Sequence, residues 1–240
     1  MEKTLSTMVI SYKNVNILHA DGDEVLTDVS FDVAEGEFVY LTGKVGSGKT
    51  SLLKTLYGEM DIASGKATVL GFDMTRIKRR QLPALRRQLG IVFQDFKLLT
   101  DRTVRQNLDF VLRATGWNDR QKRAQRIAEV LEIVELPHKA DAMPYSLSSG
   151  EQQRICVARA ILNSPKLILA DEATGNQDTE ASRRTVALLH KLASQGTAVV
   201  MSTHNALIIN QFAGIVFHLD KHQLKQFSPT DEIPDAVVEE

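Results

Sequence analysis

The run Gly43-Lys44-Val45-Gly46-Ser47-Gly48-Lys49-Thr50-Ser51 follows the apolar stretch "EFVYLT" and precedes "LLKTL". Glycines at 43, 46 and 48 let backbone N–H groups close around phosphate oxygens where a Cβ would intrude. Lys49 brings positive charge to the β- and γ-phosphates of a nucleotide, and Thr50 offers a hydroxyl to Mg²⁺. Strand, glycine-rich loop and helix occur in the order a phosphate-binding loop requires. Farther on, "KLILADE" sets Asp171 and Glu172 at the carboxyl end of a short apolar strand, where ligands bind in open α/β sheets. Asp171 suits Mg²⁺, and Glu172 suits polarisation of an attacking water. Gln94, after "GIVF", is placed to touch both metal and water. His204, after "VVMST", is placed to reach a γ-phosphate.

A second anion-binding element lies far from the first. In "SLSSGEQQR", Ser148, Ser149 and Gly150 open a helix with free N–H groups and the positive end of its dipole. Ser148 with Glu151 also fits a capping box, which accounts for the helix start but not for the run of small residues beside it.

These groups need a scaffold that the hydrophobic patterning supplies. "VISYKNVNIL", "VLTDVSFDV" and "EFVYLTG" read as strands, separated by turns at Asp21-Gly22-Asp23 and Glu35-Gly36. "KTSLLKTLYGEM" has helical spacing, "KATVLGFD" returns to strand, and "GIVFQ" reads as a buried strand. Residues 101–162 read as wholly helical, with Thr103 to Arg113 and Asp119 to Glu135 clearest. "KLILADE" and "TAVVMSTH" are of buried parallel-strand type and flank the helix "TEASRRTVALLHKLA". The sum is an α/β domain over residues 1–227 with a helical subdomain at about 95–165, and an acidic tail at 228–240.

The bulk numbers agree. At 240 residues with 43% hydrophobic content, the chain can bury one sizeable core, and a net charge of -1 implies no general pull toward nucleic acid. The basic stretch "TRIKRRQLPALRR" reads as a solvated face. The lone Cys156, within "ICVARAIL", reads as a buried small hydrophobe and suits a reducing compartment. No signal-like start is present, and Asn210-Gln211 interrupt "ALIINQFAGIVFHL" short of a membrane span. A membrane role must come through a partner.

Gly43 to Thr50, Gln94, Ser148 to Gln152, Leu167 to Glu172, Asp178 and His204 occur in the order and spacing of an ABC-transporter ATPase domain. They resemble its Walker A, Q-loop, signature, Walker B, D-loop and H-loop, and the likeness runs from about Met8 to Gln226. It implies the ABC-type P-loop fold, with an N-terminal antiparallel β subdomain and an inserted helical subdomain. It further implies ATP and Mg²⁺, with the metal at Thr50, Gln94 and Asp171. Each site would be completed in trans by the signature of a second copy, in a head-to-tail dimer holding two ATP.

Within the family, "GIVFQDFKLLTDRTVRQNL" looks most like the cell-division branch, whose ATPases pair with a transmembrane protein at the cytoplasmic face of the cell membrane. The lipoprotein-release and macrolide-export branches are near relatives. The likeness places the membrane partner around Phe93 to Leu99. It places an adenine-stacking ring at His19, with Tyr12 as the other candidate. Ser149, Ala173 and Gln177 depart from the family's usual glycine, proline and leucine.

Overall fold

The computed structural model describes residues 7–19, 21–175 and 177–227. The expected acidic tail lies outside the described residues. The alternating N-terminal segments form β1 (Met8–Leu18) and β2 (Glu24–Ala34), paired antiparallel across the turn at Asp21-Gly22. After β3 (Phe38–Thr42) and helix α1 (Lys49–Leu56), "KATVLGFD" divides into β4 (Ser64–Val69) and β5 (Phe72–Asp73). Leu70 and Gly71 both take positive φ between them, so the expected single strand is a hairpin. These strands make an antiparallel sheet in the order β2-β1-β4-β5.

A short helix, α2 (Leu82–Arg86), occupies the basic stretch. Arg79 and Arg80 are exposed as expected, while Leu85 is buried and Arg86 donates to the carbonyls of Tyr57 and Gly58 at 3.0 and 3.1 Å. The second sheet contains β6 (Leu89–Val92), β7 (Leu167–Asp171), β8 (Ala198–Ser202), β9 (Ile215–Asp220) and β10 (Gln223–Phe227). Its order is β10-β9-β3-β8-β7-β6, parallel throughout except for the β9–β10 hairpin. Both faces are covered, which is why its central strands read as unbroken apolar runs. Val39, Leu41, Leu169 and Val200 pack toward α1 and the antiparallel sheet. Phe38, Tyr40, Ala170 and Met201 pack toward the helices of the opposite side.

Those helices are α3 (Val104–Ala114), α4 (Arg120–Ile133), α5 (Ser149–Ala160) and α6 (Thr179–Ser194), with a short α7 (Ala206–Gln211) after β8. A Thr103–Gln106 capping box starts α3, and the Asp119 carboxylate caps α4. Val104, Leu108 and Leu112 form the buried stripe of α3, and Ile127, Val130 and Leu131 that of α4. Residues 101–162 are not wholly helical, however. Pro137 and Pro144, which have no N–H to give, open two 3₁₀ turns at Pro137–Lys139 and Pro144–Ser146 that separate α4 from α5. The run "ALIINQFAGIVFHL" breaks into α7 and β9. No helix among the described residues is long and apolar enough to cross a membrane.

Candidate nucleotide site

Strand β3 ends at Thr42, and the chain turns through Gly43, Gly46 and Gly48 with φ of 137°, 82° and 100°. A side chain at Gly43 would drive into the Leu219 carbonyl, while Gly46 opens onto empty space. Gly48 caps α1 with no side-chain acceptor, so the first N–H groups of that helix stay available to an anion. Lys49 is nine-tenths buried and donates to the carbonyls of Gly43 at 2.7 Å and Lys44 at 3.1 Å. Burial pulls its ammonium below the usual lysine value, against the opposing pull of Glu172 and Asp171. Ser47 Oγ is buried in the loop with no hydrogen-bond partner among the described residues, a hydroxyl that a phosphate oxygen suits.

The loop floors a cavity of 410 Å³, within the range of nucleotide-sized sites. Val45, Gly46, Gly48, Lys49, Thr50 and Ser51 line one side; His19, Gln94, Glu172 and His204 line the rest. The sequence-predicted residues on β3, β6, β7 and β8 therefore converge, because parallel strands present their carboxyl ends along one edge. At the end of β7, Asp171 Oδ1 accepts from Thr50 Oγ1 at 3.2 Å and from Ser202 Oγ at 2.6 Å. Glu172 takes a left-handed backbone, φ 47°, while its N–H donates to Ser202 Oγ at 2.9 Å. Its carboxylate lies 2.7 Å from His204 Nδ1 and 3.9 Å from Lys49 Nζ. Ser202, the last residue of β8, was missed by sequence reasoning. A lone hydroxyl closing an apolar run is its sole trace.

The Thr50 hydroxyl rests on the Asp171 carboxylate and the Gln94 amide lines the same cavity as Thr50, oxygen donors of the kind that fit Mg²⁺ with phosphates completing its shell. Among the described residues no group of three or more His, Cys, Asp or Glu could hold a metal by itself.

The second anion element stands apart. Ser148 and Glu151 form the expected capping box at 3.2 and 2.9 Å, and Lys139 pairs with Glu151 at 3.0 Å. None of Ser148, Ser149, Gly150 or Glu151 lines the cavity of the glycine loop. A Cβ on Gly150 would lie 2.7 Å from that of Ala181, so this glycine lets α5 and α6 meet at their first turns. Ser149 is the first residue of α5 and is half-buried.

Two expectations are corrected. Tyr12 is no base platform: it is 1% exposed and its hydroxyl meets Thr55 Oγ1 at 3.1 Å. His19 lines the cavity wall. Phe96 and Leu98 do not offer an open apolar surface, since both are half-buried against the helical core. Positive φ at Phe96 and Lys97 turns their carbonyls onto Arg159, at 2.7 and 2.6 Å.

The ABC transporter family profile matches residues 26–175. The chain belongs to the ABC-transporter ATP-binding family and is an ATP-binding ABC-type ATPase. It is 43% identical over 202 residues to the cell division ATP-binding protein FtsE of Streptococcus pneumoniae serotype 2, covering 84% of this chain and 87% of that one. It is 39% identical over 203 residues to FtsE of Escherichia coli strain K12, covering 85% and 91%. Among solved structures it resembles the ATP-binding cassette MJ0796 in a dimeric post-hydrolysis state bound to ADP and Pi, with TM-score 0.81, 29% identity and coverage of 91% and 98%.

Proposed function

We propose that this chain is the ATP-hydrolysing subunit of an FtsEX-type complex in cell division. It would act at the cytoplasmic face of the cell membrane, coupling ATP-driven dimerisation to an FtsX-like transmembrane partner. The carrying observation is the Glu172 carboxylate, held 2.7 Å from His204 and 3.9 Å from Lys49 in the cavity of the glycine loop. Glu172 takes the role of general base toward water, and His204 holds it in place while facing the γ-phosphate. Gly43, Lys44, Val45, Gly46, Ser47, Gly48, Lys49, Thr50 and Ser51 cradle the phosphates, and His19 stacks on the base. Thr50, Gln94 and Asp171 would hold Mg²⁺, which would offset the negative charge of the phosphates.

Ser148, Ser149, Gly150 and Glu151 serve the γ-phosphate of a second copy, because the fold keeps them out of their own chain's cavity. Val45 within the loop is 96% exposed and Tyr145 before the signature 78%, apolar surface that a second copy would cover. The dimeric state of the MJ0796 cassette supports this arrangement. With Phe96 and Leu98 turned inward, contact with the membrane partner falls to exposed Leu99 and to Phe110, whose ring lies under Arg102 at 5.0 Å.

Glu172→Gln should cut ATP turnover about 10²- to 10⁴-fold while leaving ATP binding intact. Lys49→Ala should lose nucleotide binding itself. Phosphate release and equilibrium nucleotide binding measure the two. Parental turnover by Glu172→Gln would remove Glu172 from the role.

A further inference from the structure

We infer that Gln177 is a positioning residue for ATP hydrolysis, tying the turn that carries Glu172 to α6; the inference rests on Glu172 being the base. The turn after β7 exposes three successive carbonyls to satisfy, at Glu172, Ala173 and Thr174. Gly175 N–H reaches that of Glu172 at 3.0 Å. The other two are met by Gln177, through its side-chain Nε2 to Ala173 O at 2.5 Å and its backbone N–H to Thr174 O at 3.3 Å. Ala173 is 1% exposed, so water does not stand in for the side-chain amide. The other end of that amide is fixed as well. Gln177 Oε1 accepts from Thr185 Oγ1 at 2.9 Å, and Thr185 is wholly buried on α6.

Tension in the turn gives the tether its purpose. Glu172 sits at φ 47°, a region that non-glycine residues hold only when their surroundings insist. The Ser202 contacts fix the N–H side of Glu172, and the Gln177 amide fixes the carbonyl that follows it. Between these two clamps the carboxylate is aimed at His204 and Lys49. A leucine at 177 would fill similar space but leave the Ala173 carbonyl and the Thr185 hydroxyl without partners.

Three variants separate aiming from packing. Gln177→Leu should lower kcat about ten- to hundredfold with ATP affinity unchanged, as expected when a buried acceptor loses its donor. Adding Thr185→Val removes the stranded hydroxyl but not the stranded Ala173 carbonyl, so the double variant should recover part of the lost thermal stability without recovering kcat. Gln177→Glu keeps an acceptor for Thr185 but can donate to Ala173 O only when protonated. Its kcat relative to the parent should therefore rise as pH falls through the new carboxyl's pKa. Parental kcat in the folded Gln177→Leu or double variant would overturn the inference, as would recovery of kcat and stability together in the double variant. Glu172→Gln, run in parallel, tells the two ideas apart: full turnover there sinks the assignment of the base, whereas loss there with parental kcat at Gln177→Leu sinks only the tether.

Discussion

Ser149 is the residue at which this chain's chemistry departs most directly from the family pattern. It opens α5 beside the Ser148–Glu151 capping box with a half-buried side chain. On the function proposed above, that side chain adds a hydroxymethyl where a backbone N–H approaches the second copy's phosphate. Ser149→Gly should strengthen ATP-driven association about fivefold, close to 1 kcal/mol. The helix itself loses no more than about 1 kcal/mol from glycine in its first turn. Light scattering across an ATP titration measures the change, and identical curves would show that serine fits without penalty. At this scale the sequence is highly legible for local chemistry. Glycine spacing, the Asp171-Glu172 pair and the capping box are all properties of neighbouring residues. Ser202, Gln177 and Thr185 were illegible as site residues because their meaning lies in contacts between β7, β8 and α6. Cys156 was read correctly: it is fully buried, and burial pushes its thiol up to about 11.

At the scale of elements, the apolar runs of the parallel strands were plain because both faces of that sheet are covered. What misled was the stretch before α5, where a helical pattern of apolar residues continues past Pro137 and Pro144 although the backbone cannot. The seam between α6 and β3 carries a pH dependence of its own. His190 of α6 stacks on Phe38 at 3.8 Å and meets Tyr40 Oη through Nε2 at 3.0 Å. Burial holds its imidazole below the ordinary histidine value. The unfolded chain therefore takes up this proton first as pH falls. The stability His190 contributes is complete above about pH 6.5 and is lost as pH drops from there toward its folded pKa. Burial also lowers His218, which adds in the same direction, whereas the lowered carboxyls of Asp73 and Asp119 act only in stronger acid. Thermal midpoints should fall between pH 7 and 5.5, and less steeply in His190→Gln, which keeps an acceptor for Tyr40. Equal slopes would place the effect elsewhere.

For the whole molecule, the fold brings one anion element into the cavity and keeps the other out. The glycine loop, Gln94, Glu172 and His204 share a cavity, while the start of α5 is braced on α6 through Gly150 and Ala181. On the function proposed above, each chain holds two half-sites, and closing one of them takes a second chain. The direct measurement is the solution mass of Glu172→Gln with and without saturating ATP and Mg²⁺. The mass should double from the single-chain 26.7 kDa only when ATP is present. Adding Ser148→Arg should return it to that of one chain while the glycine loop still binds nucleotide. A single-chain mass for ATP-saturated Glu172→Gln, or a dimer indifferent to Ser148→Arg, would contradict completion of the site in trans.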